Sequence, residues 1–389
     1  MTVHAMMPEA THDEAARFAH VVSLKNFLMR NLEPKWRGYV DEHVTPQFAA
    51  AGRDAAEEYR DLERRLAKLG AYRTWQALTV SAQAEMWRSV GQCVDRQLGD
   101  LDTRAKTIDG GSVRTDSAFV APRYLSKVDI HLMPGGYAAD RGGDDVRQGA
   151  VFDKAAALYH MGRNGGELND VRGHTIVQHL FERYGHLQPQ RILDIGCTVG
   201  HSTTAIASYF PNAEVHGIDV GGALLRYARA RSASLGQKVH YSQQNGEQTD
   251  FPEGHFDLVV SSAVLHETSF SALPRIFKEA HRLLRPGGVM INLEVPLRFD
   301  THSTWSRIRG LFEALHNNEP FWIGAQTLDV GAIAKSAGFA DVLAGYQNAT
   351  PKADRAAAPT FTTKSRSEEH TSELQSHSDL VCRLLLEKK

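Results

Sequence analysis

The sequence predicts a doubly wound α/β fold, a mostly parallel Rossmann-like sheet, preceded by an all-helical domain. Three observations carry this. From Asp153 onward, strand-length apolar runs alternate with helix-period segments, the pattern of a parallel sheet covered by helices on both faces. Near the start of that region RILDIGCTVG, residues 191–200, reads as a buried strand ending in an acid, a glycine turn and a helix start, and VHGIDV, residues 215–220, is a second strand ending in an acid. From Asp13 to about Lys106, by contrast, glycine is scarce, and apolar residues such as Phe18, Val21, Val22, Leu24 and Leu28 recur at helical spacing.

The elements follow in order. Residues 1–106 form the helical domain, in which DAAEEYRDLERRLAKLG reads as one charge-laced helix closed by Gly70, with Gly91 as a second interruption. Residues 107–149 turn to IDGGS, MPGGY and DRGGDD, the composition of a connector or lid base with one short strand expected around Val128 to Leu132. In residues 150–365, FDKAAALYHMG and TIVQHLFERYG are helices. Strands are expected near 191–195, 213–218, 238–242, 256–262 and 288–295, with helices opening near Ser202, Gly222, Ser271 and Leu328. A sheet of this kind binds ligands at the carboxyl ends of its strands.

Composition excludes several classes. The 389 residues are 42% hydrophobic and 23% charged with a net charge of -2, so no electrostatic surplus points to nucleic acid or to a membrane surface. No run reaches the roughly 18 apolar residues of a membrane span, and the polar start MTVHAMMPEATHDEAARF lacks a signal-peptide pattern, so a cytoplasmic location is expected. Three cysteines are too few for a disulfide framework, and none of the 19 histidines falls in a metal-binding spacing, so no metal site is expected.

DIGCTVG, followed by IDV, QQNGEQTDF, FDLVVSSAVLHE and LLRPGG, resembles the class I S-adenosylmethionine-dependent methyltransferases over residues 150 to 347. The resemblance implies a seven-stranded sheet whose last strand is antiparallel and inserted between the fifth and sixth, with S-adenosyl-L-methionine as cofactor. Asp194, Gly196, Cys197, Thr198 and Gly200 fall on the loop that approaches the methionyl part, with Thr198 where the family usually has glycine. Asp219, followed by Val220, falls on the ribose-binding acid. Gln244, Asn245, Gly246 and Glu247 fall where the adenine edge is held, and Ser261, Ala263 and His266 where cofactor and acceptor meet.

Three residues are candidates for the proton chemistry. His266 and Glu267 lie together at a strand end, where a histidine serves as general base or simply packs against the cofactor. Glu294, ending the fifth strand, orients a base, binds a polar acceptor group or is structural. Trp305, Phe312, Phe321 and Trp322, with Asn317, Asn318 and Glu319, form either an acceptor wall or a hydrophobic clamp on the helical domain. His131 and Tyr137 belong to the connector as lid residues, and lids of this family often place an aromatic ring, here Tyr137, near the sulfonium.

The expected function is methyl transfer to an oxygen, nitrogen or carbon of a small-molecule acceptor, with a secondary-metabolite acceptor preferred. A non-catalytic protein that binds the same cofactor, and a nicotinamide-dependent oxidoreductase, are the rivals. The latter lacks its GxGxxG turn. Residues 366–389, RSEEHTSELQSHSDLVCRLLLEKK, resemble a translated sequencing adapter. They are expected to be a non-native tail, leaving the domain truncated near Thr363 to Ser365 and its seventh strand missing.

Overall fold

The structure is a computed structural model and describes residues 3–48, 55–295, 303–363 and 381–387. Eight strands form one sheet: β1 (Ser112–Arg114), β2 (Arg191–Ile195), β3 (Glu214–Asp219), β4 (Val239–Gln243), β5 (Phe256–Ser262), β6 (Leu284–Glu294), β7 (Asp341–Gln347) and β8 (Val381–Glu387). Their order is β1-β4-β3-β2-β5-β6-β8-β7. The first six in that order pair in parallel, and β8 is antiparallel to both β6 and β7. Strand order reverses between β2 and β5, so β2, β3 and β5 open their carboxyl ends onto one crevice.

The central strands are buried on both faces, which is why their sequences show no in-and-out alternation. One layer of the core joins Ile192, Val215, Leu258, Val260 and Ile291 to Ile176 and Leu180 of the helix Val171–Arg183. On the opposite face Leu193, Ile195, Val259 and Met290 meet Phe277, Ala280 and Leu283 of the helix Leu273–Leu283. The latter helix has its apolar residues on one side, and two of its first positions are fixed by Leu273 and Pro274 entering the first turn.

Residues 12–48 and 55–107 are helical with short breaks, and their longest element is Gly70–Arg96. These helices pack directly onto the cofactor-side elements. Phe18, Met86, Trp87 and Val90 share one buried cluster with Ile130, Met133 and Tyr137 of the connector and with Val146, Ala150, Leu224 and Tyr227. Below that cluster Asp153, fully buried, accepts the Tyr227 hydroxyl at 2.7 Å and contacts His201 at 2.6 Å, His4 at 3.0 Å and Arg231 at 3.3 Å. Burial works to raise the Asp153 pKa, but Arg231, His201 and His4 outweigh it and hold it well below the usual carboxylate range.

Several expectations require correction. The seventh strand is present in the structure, because residues 381–387 enter as β8 between β6 and β7. VCRLLLE has the apolar content of a strand and pairs with the edges that β6 and β7 would otherwise leave open. The remainder of that tail, 364–380 and 388–389, lies outside the described residues. The short connector strand is Ser112–Arg114, extending the sheet beside β4, while Ile130–Leu132 is a 3₁₀ turn. Gly91 lies inside the helix Gly70–Arg96, where a Cβ would meet only an Arg147 nitrogen at 3.6 Å.

Candidate functional site

The loop after β2 is built from left-handed backbone. Gly196, Thr198 and Gly200 have φ of 72°, 46° and 77°. Glycine adopts this freely, whereas a β-branched threonine does so at a cost, so Thr198 keeps a glycine's conformation without a glycine's freedom. The amides of Gly196 and Cys197 both donate to the carbonyl of Ile218 at 2.8 and 3.1 Å, which ties the loop to β3. A Cβ on Gly196 would come within 2.6 Å of the Val264 side chain. The tight turn therefore places bare backbone at the crevice.

Asp219 ends β3 and is held by the same loop. Its Oδ2 accepts the Thr198 amide at 3.0 Å and its Oδ1 accepts the Gly221 amide at 2.9 Å. Burial pushes its pKa up to about 6, against the pull of the Gly221, Thr198 and Val220 amides and with a further push from Glu267. An ionised carboxylate has about four acceptor directions, so two remain for a vicinal diol. After β4, Asn245 closes a turn by accepting the Glu247 amide at 3.0 Å, and Gln244, Asn245 and Gly246 reach the cavity wall.

A single cavity of about 430 Å³ is lined by Tyr137, Gly196, Cys197, Thr198, Asp219, Val220, Asn245 and Gly246 together with His266, Glu267 and Glu294. His266 Nδ1 lies 2.6 Å from Glu294 Oε2, and Glu294 Oε1 accepts the Leu265 amide at 2.6 Å. Glu294 is thereby fixed, and it orients the imidazole so that the neutral ring carries its proton on Nδ1 and presents Nε2 as the acceptor. Burial opposes protonation of His266, yet Glu294, Glu267 and Glu319 together outweigh it and raise its pKa. Trp322 meets the ring edge-on at 4.9 Å. Glu267 is engaged instead by His131 Nε2 at 2.9 Å and the Tyr137 hydroxyl at 3.0 Å, while His131 Nδ1 lies 2.9 Å from Glu319 Oε1. The Tyr137 pKa is raised well above its usual value by burial, then by Glu267 and Glu319.

Four expected site residues do not line this cavity. Asp194 is buried beneath the loop, where its Oδ2 accepts the Thr203 hydroxyl at 2.6 Å and burial raises its pKa to about 7. Gly200 caps the following helix, and a Cβ there would strike the Tyr241 hydroxyl at 2.2 Å. Glu247 is occupied by the Tyr124 hydroxyl at 2.9 Å and by Arg275. Ser261 donates to Asn292 across the sheet at 2.7 Å, because strand alternation turns it away and presents Ser262 to the cavity. The Ser262 hydroxyl is buried without a hydrogen-bond partner.

The insertion aromatics divide. Phe312 and Trp322 line the cavity together with Asn317 and Glu319. Trp305 packs at 5.8 Å on Trp75 as a clamp, Phe321 lies edge-on to Tyr124 at 5.9 Å, and Asn318 donates to the Asp129 carbonyl at 3.1 Å.

Sequence reasoning missed the cavity residues supplied from afar. The helices 12–107 contribute Lys25, Leu28, Met29, Glu33 and Gln83, and the start of the helix Val171–Arg183 contributes Arg172. The Lys25 pKa is lowered to about 7 by burial, with Glu313 opposing, and its amine lies 4.4 Å over the Tyr159 ring. Leu28 and Met29 stand on a π-helical turn, Leu28–Leu32, an irregularity that often marks functional sites. Nothing in the spacing of these residues connects them to Asp219.

A parallel sheet with an antiparallel strand next to its edge, a glycine turn after β2 and a carboxylate ending β3 resemble a class I S-adenosylmethionine-dependent methyltransferase domain. Residues 192–288 match the family model described as a methyltransferase domain, and the chain carries that domain. It is similar to an uncharacterised methyltransferase of Synechocystis sp., 32% identical over 152 residues, covering 39% of this chain and 66% of the relative. A malonyl-[acyl-carrier protein] O-methyltransferase of Legionella pneumophila is 32% identical over 118 residues, covering 30% and 40%. A trans-aconitate 2-methyltransferase of Methylobacterium radiotolerans is 40% identical over 104 residues, covering 26% and 36%. The chain thus spans less than two thirds of each of these relatives. Among the described residues no helix is long and apolar enough to cross a membrane.

Proposed function

We propose that this chain transfers the methyl group of S-adenosyl-L-methionine to an oxygen, nitrogen or stabilised carbon of a small-molecule acceptor, in secondary metabolism and in the cytoplasm. The observation that carries this is the continuity of one cavity past Thr198, Asp219 and Asn245, past His266 and Glu294, and onto Lys25, Leu28 and Phe312. A site that only sensed the cofactor has no need of the second and third groups. The similar proteins of Legionella and Methylobacterium are named for carboxylic acceptors, free or carrier-bound, which supports a small acceptor. No nucleic-acid or membrane partner enters this reading.

The cofactor, when bound, supplies an electrophilic methyl on a sulfonium. The chain's residues do the rest. The free acceptor directions of Asp219 fit the ribose diol, the Gly196 to Thr198 backbone fits the methionyl part, and Asn245 with Gly246 fits the adenine edge. Tyr137 stands at the same wall as His266. Nε2 of His266 takes the acceptor's proton, while Glu294 holds the tautomer and stabilises the imidazolium that results. Residues 1–106 act as the acceptor-binding domain, residues 107–149 as the lid base and residues 150–365 as the cofactor domain, so that closure excludes water and orients the acceptor.

The test is calorimetric titration with S-adenosylmethionine and S-adenosylhomocysteine, with NAD(H) as comparator and Asp219→Ala as control. Micromolar binding of the first two, lost in Asp219→Ala, is expected. Absence of binding to a folded sample, or preference for NAD(H), overturns the reading.

A further inference from the structure

His131, Glu267 and Glu319 come from three segments far apart in sequence, and one ligand-type atom from each lies within 4.8 Å of the others. From this arrangement we infer that they form a binding site for a first-row divalent cation at the cavity wall. Spacing rules in the sequence gave no sign of it, because no two of the three are neighbours along the chain. One imidazole nitrogen and two carboxylate oxygens are a donor set suited to manganese, cobalt or zinc, and three donors leave positions open to the cavity.

His131 Nε2 lies 2.9 Å from Glu267 Oε1 and its Nδ1 lies 2.9 Å from Glu319 Oε1, one contact from each ring nitrogen. An ion takes one of the two nitrogens, so its binding replaces one of these contacts and draws both carboxylates to that side of the ring. A second observation points independently to a ligand. Glu319, with its side chain 1% exposed, carries an Oε2 that has no hydrogen-bond partner, and this atom faces His266 Nε2 at 3.6 Å. A buried carboxylate oxygen left bare beside two imidazoles and a second carboxylate is what a cation would satisfy.

The backbone is set for the same purpose. His131 and Leu132 both have φ of 57°, and Asn318, next to Glu319, has φ of 55°. Non-glycine residues held in this region cluster at ligand clamps. The His131 carbonyl accepts from Gln83 Nε2 at 3.0 Å and from the Trp87 indole at 2.8 Å, which fixes the strained residue and aims its ring. His266 Nε2 lies 3.8 Å from Glu267 Oε1, so the cluster adjoins the candidate base. The inference concerns cation binding alone and does not depend on which acceptor is methylated.

The full chain is titrated with Mn²⁺ alone, read by calorimetry and by the electron paramagnetic resonance of free Mn²⁺, for wild type, Glu319→Gln and Glu267→Gln. Near-ultraviolet circular dichroism checks that each variant folds, and binding of S-adenosylhomocysteine to the wild type is measured separately. One Mn²⁺ per chain, bound in the micromolar range and at least tenfold more weakly by both variants, is expected. No binding up to millimolar Mn²⁺ in folded wild type overturns the inference, as does binding of equal strength in the folded variants. Failure of S-adenosylhomocysteine to bind counts against the methyltransferase reading and leaves the Mn²⁺ result to decide the cation site.

Discussion

Lowering the pH from about 7.5 to about 5 should weaken S-adenosylhomocysteine binding about tenfold through one group. Burial raises the Asp219 pKa to about 6, and the amides of Gly221, Thr198 and Val220 only partly offset it. Both carboxylate oxygens are already engaged by Thr198 and Gly221 amides, so only the ionised form retains lone pairs for two further hydroxyl donors. With a pKa of about 6, the ionised fraction falls from about 97% to about 9% over that window, a ratio near ten, or about 1.4 kcal/mol. Affinity is therefore full above about pH 7 and is lost as pH falls through 6. The ligand-free chain responds in the opposite sense: between about pH 4 and 6 the folded carboxyl keeps a proton that the unfolded one releases, so this group stabilises the fold as pH falls. Calorimetry at stepped pH, with far-ultraviolet circular dichroism at each step, reads the effect. A flat wild-type profile, or the same slope in Asp219→Asn, refutes the assignment.

Other predictions concern the fold and the base. Asp153→Asn leaves Arg231, 1% exposed, beside a neutral partner and should lower unfolding free energy by about 3–5 kcal/mol in urea titration, an effect that Arg231→Met in the same chain should partly rescue. A loss under about 1 kcal/mol would count against the hub. Thr198→Gly relieves a left-handed β-branched residue, a cost of about 1–2 kcal/mol, against about 0.5–1 kcal/mol of extra chain entropy, so a small net gain in the urea midpoint is expected. His266→Asn should lower kcat by about 10²–10⁴ with little change in cofactor affinity, and Glu294→Gln should lower it less; equal activity in all three proteins would remove His266 as the base. Stopping the chain after Thr363 deletes β8 and opens both β6 and β7, so the urea midpoint should drop and aggregation rise. An unchanged midpoint would instead favour residues 366–389 as a non-native tail.

The loop after β2 and the acid that ends β3 were legible because they are local. A strand, a turn and the next strand's last residue lie within about thirty positions, and the left-handed glycines and Asp219 are each required by one short loop. Ser261 turns to Asn292 and Ser262 to the cavity, a difference hidden in the sequence because a strand buried on both faces gives no alternation from which to tell them. Asp194 and Glu247 were read by their place in a motif, but burial and a competing ion pair claimed them. The far wall of the cavity was only partly legible: His131 and Glu319 were named singly, but Lys25 and Arg172 join them only through packing between helices whose sequences show surface and core but not partner. Glu294 and His266 were named singly; their pairing needed the register of β5 against β6.

The helices 12–107 are joined to the insertion after β6 by more than apolar contact. Tyr59 donates to Gln326 at 2.7 Å, Glu58 pairs with Arg307, and Glu33 pairs with Arg309 at 3.4 Å. His131 is anchored to the same helical body through Gln83 and Trp87, whereas Glu267 stands on the sheet's strand ends. Helices and insertion are therefore tied into one body that carries His131 and Glu319, and the cluster with Glu267 is the seam where that body meets the strand ends.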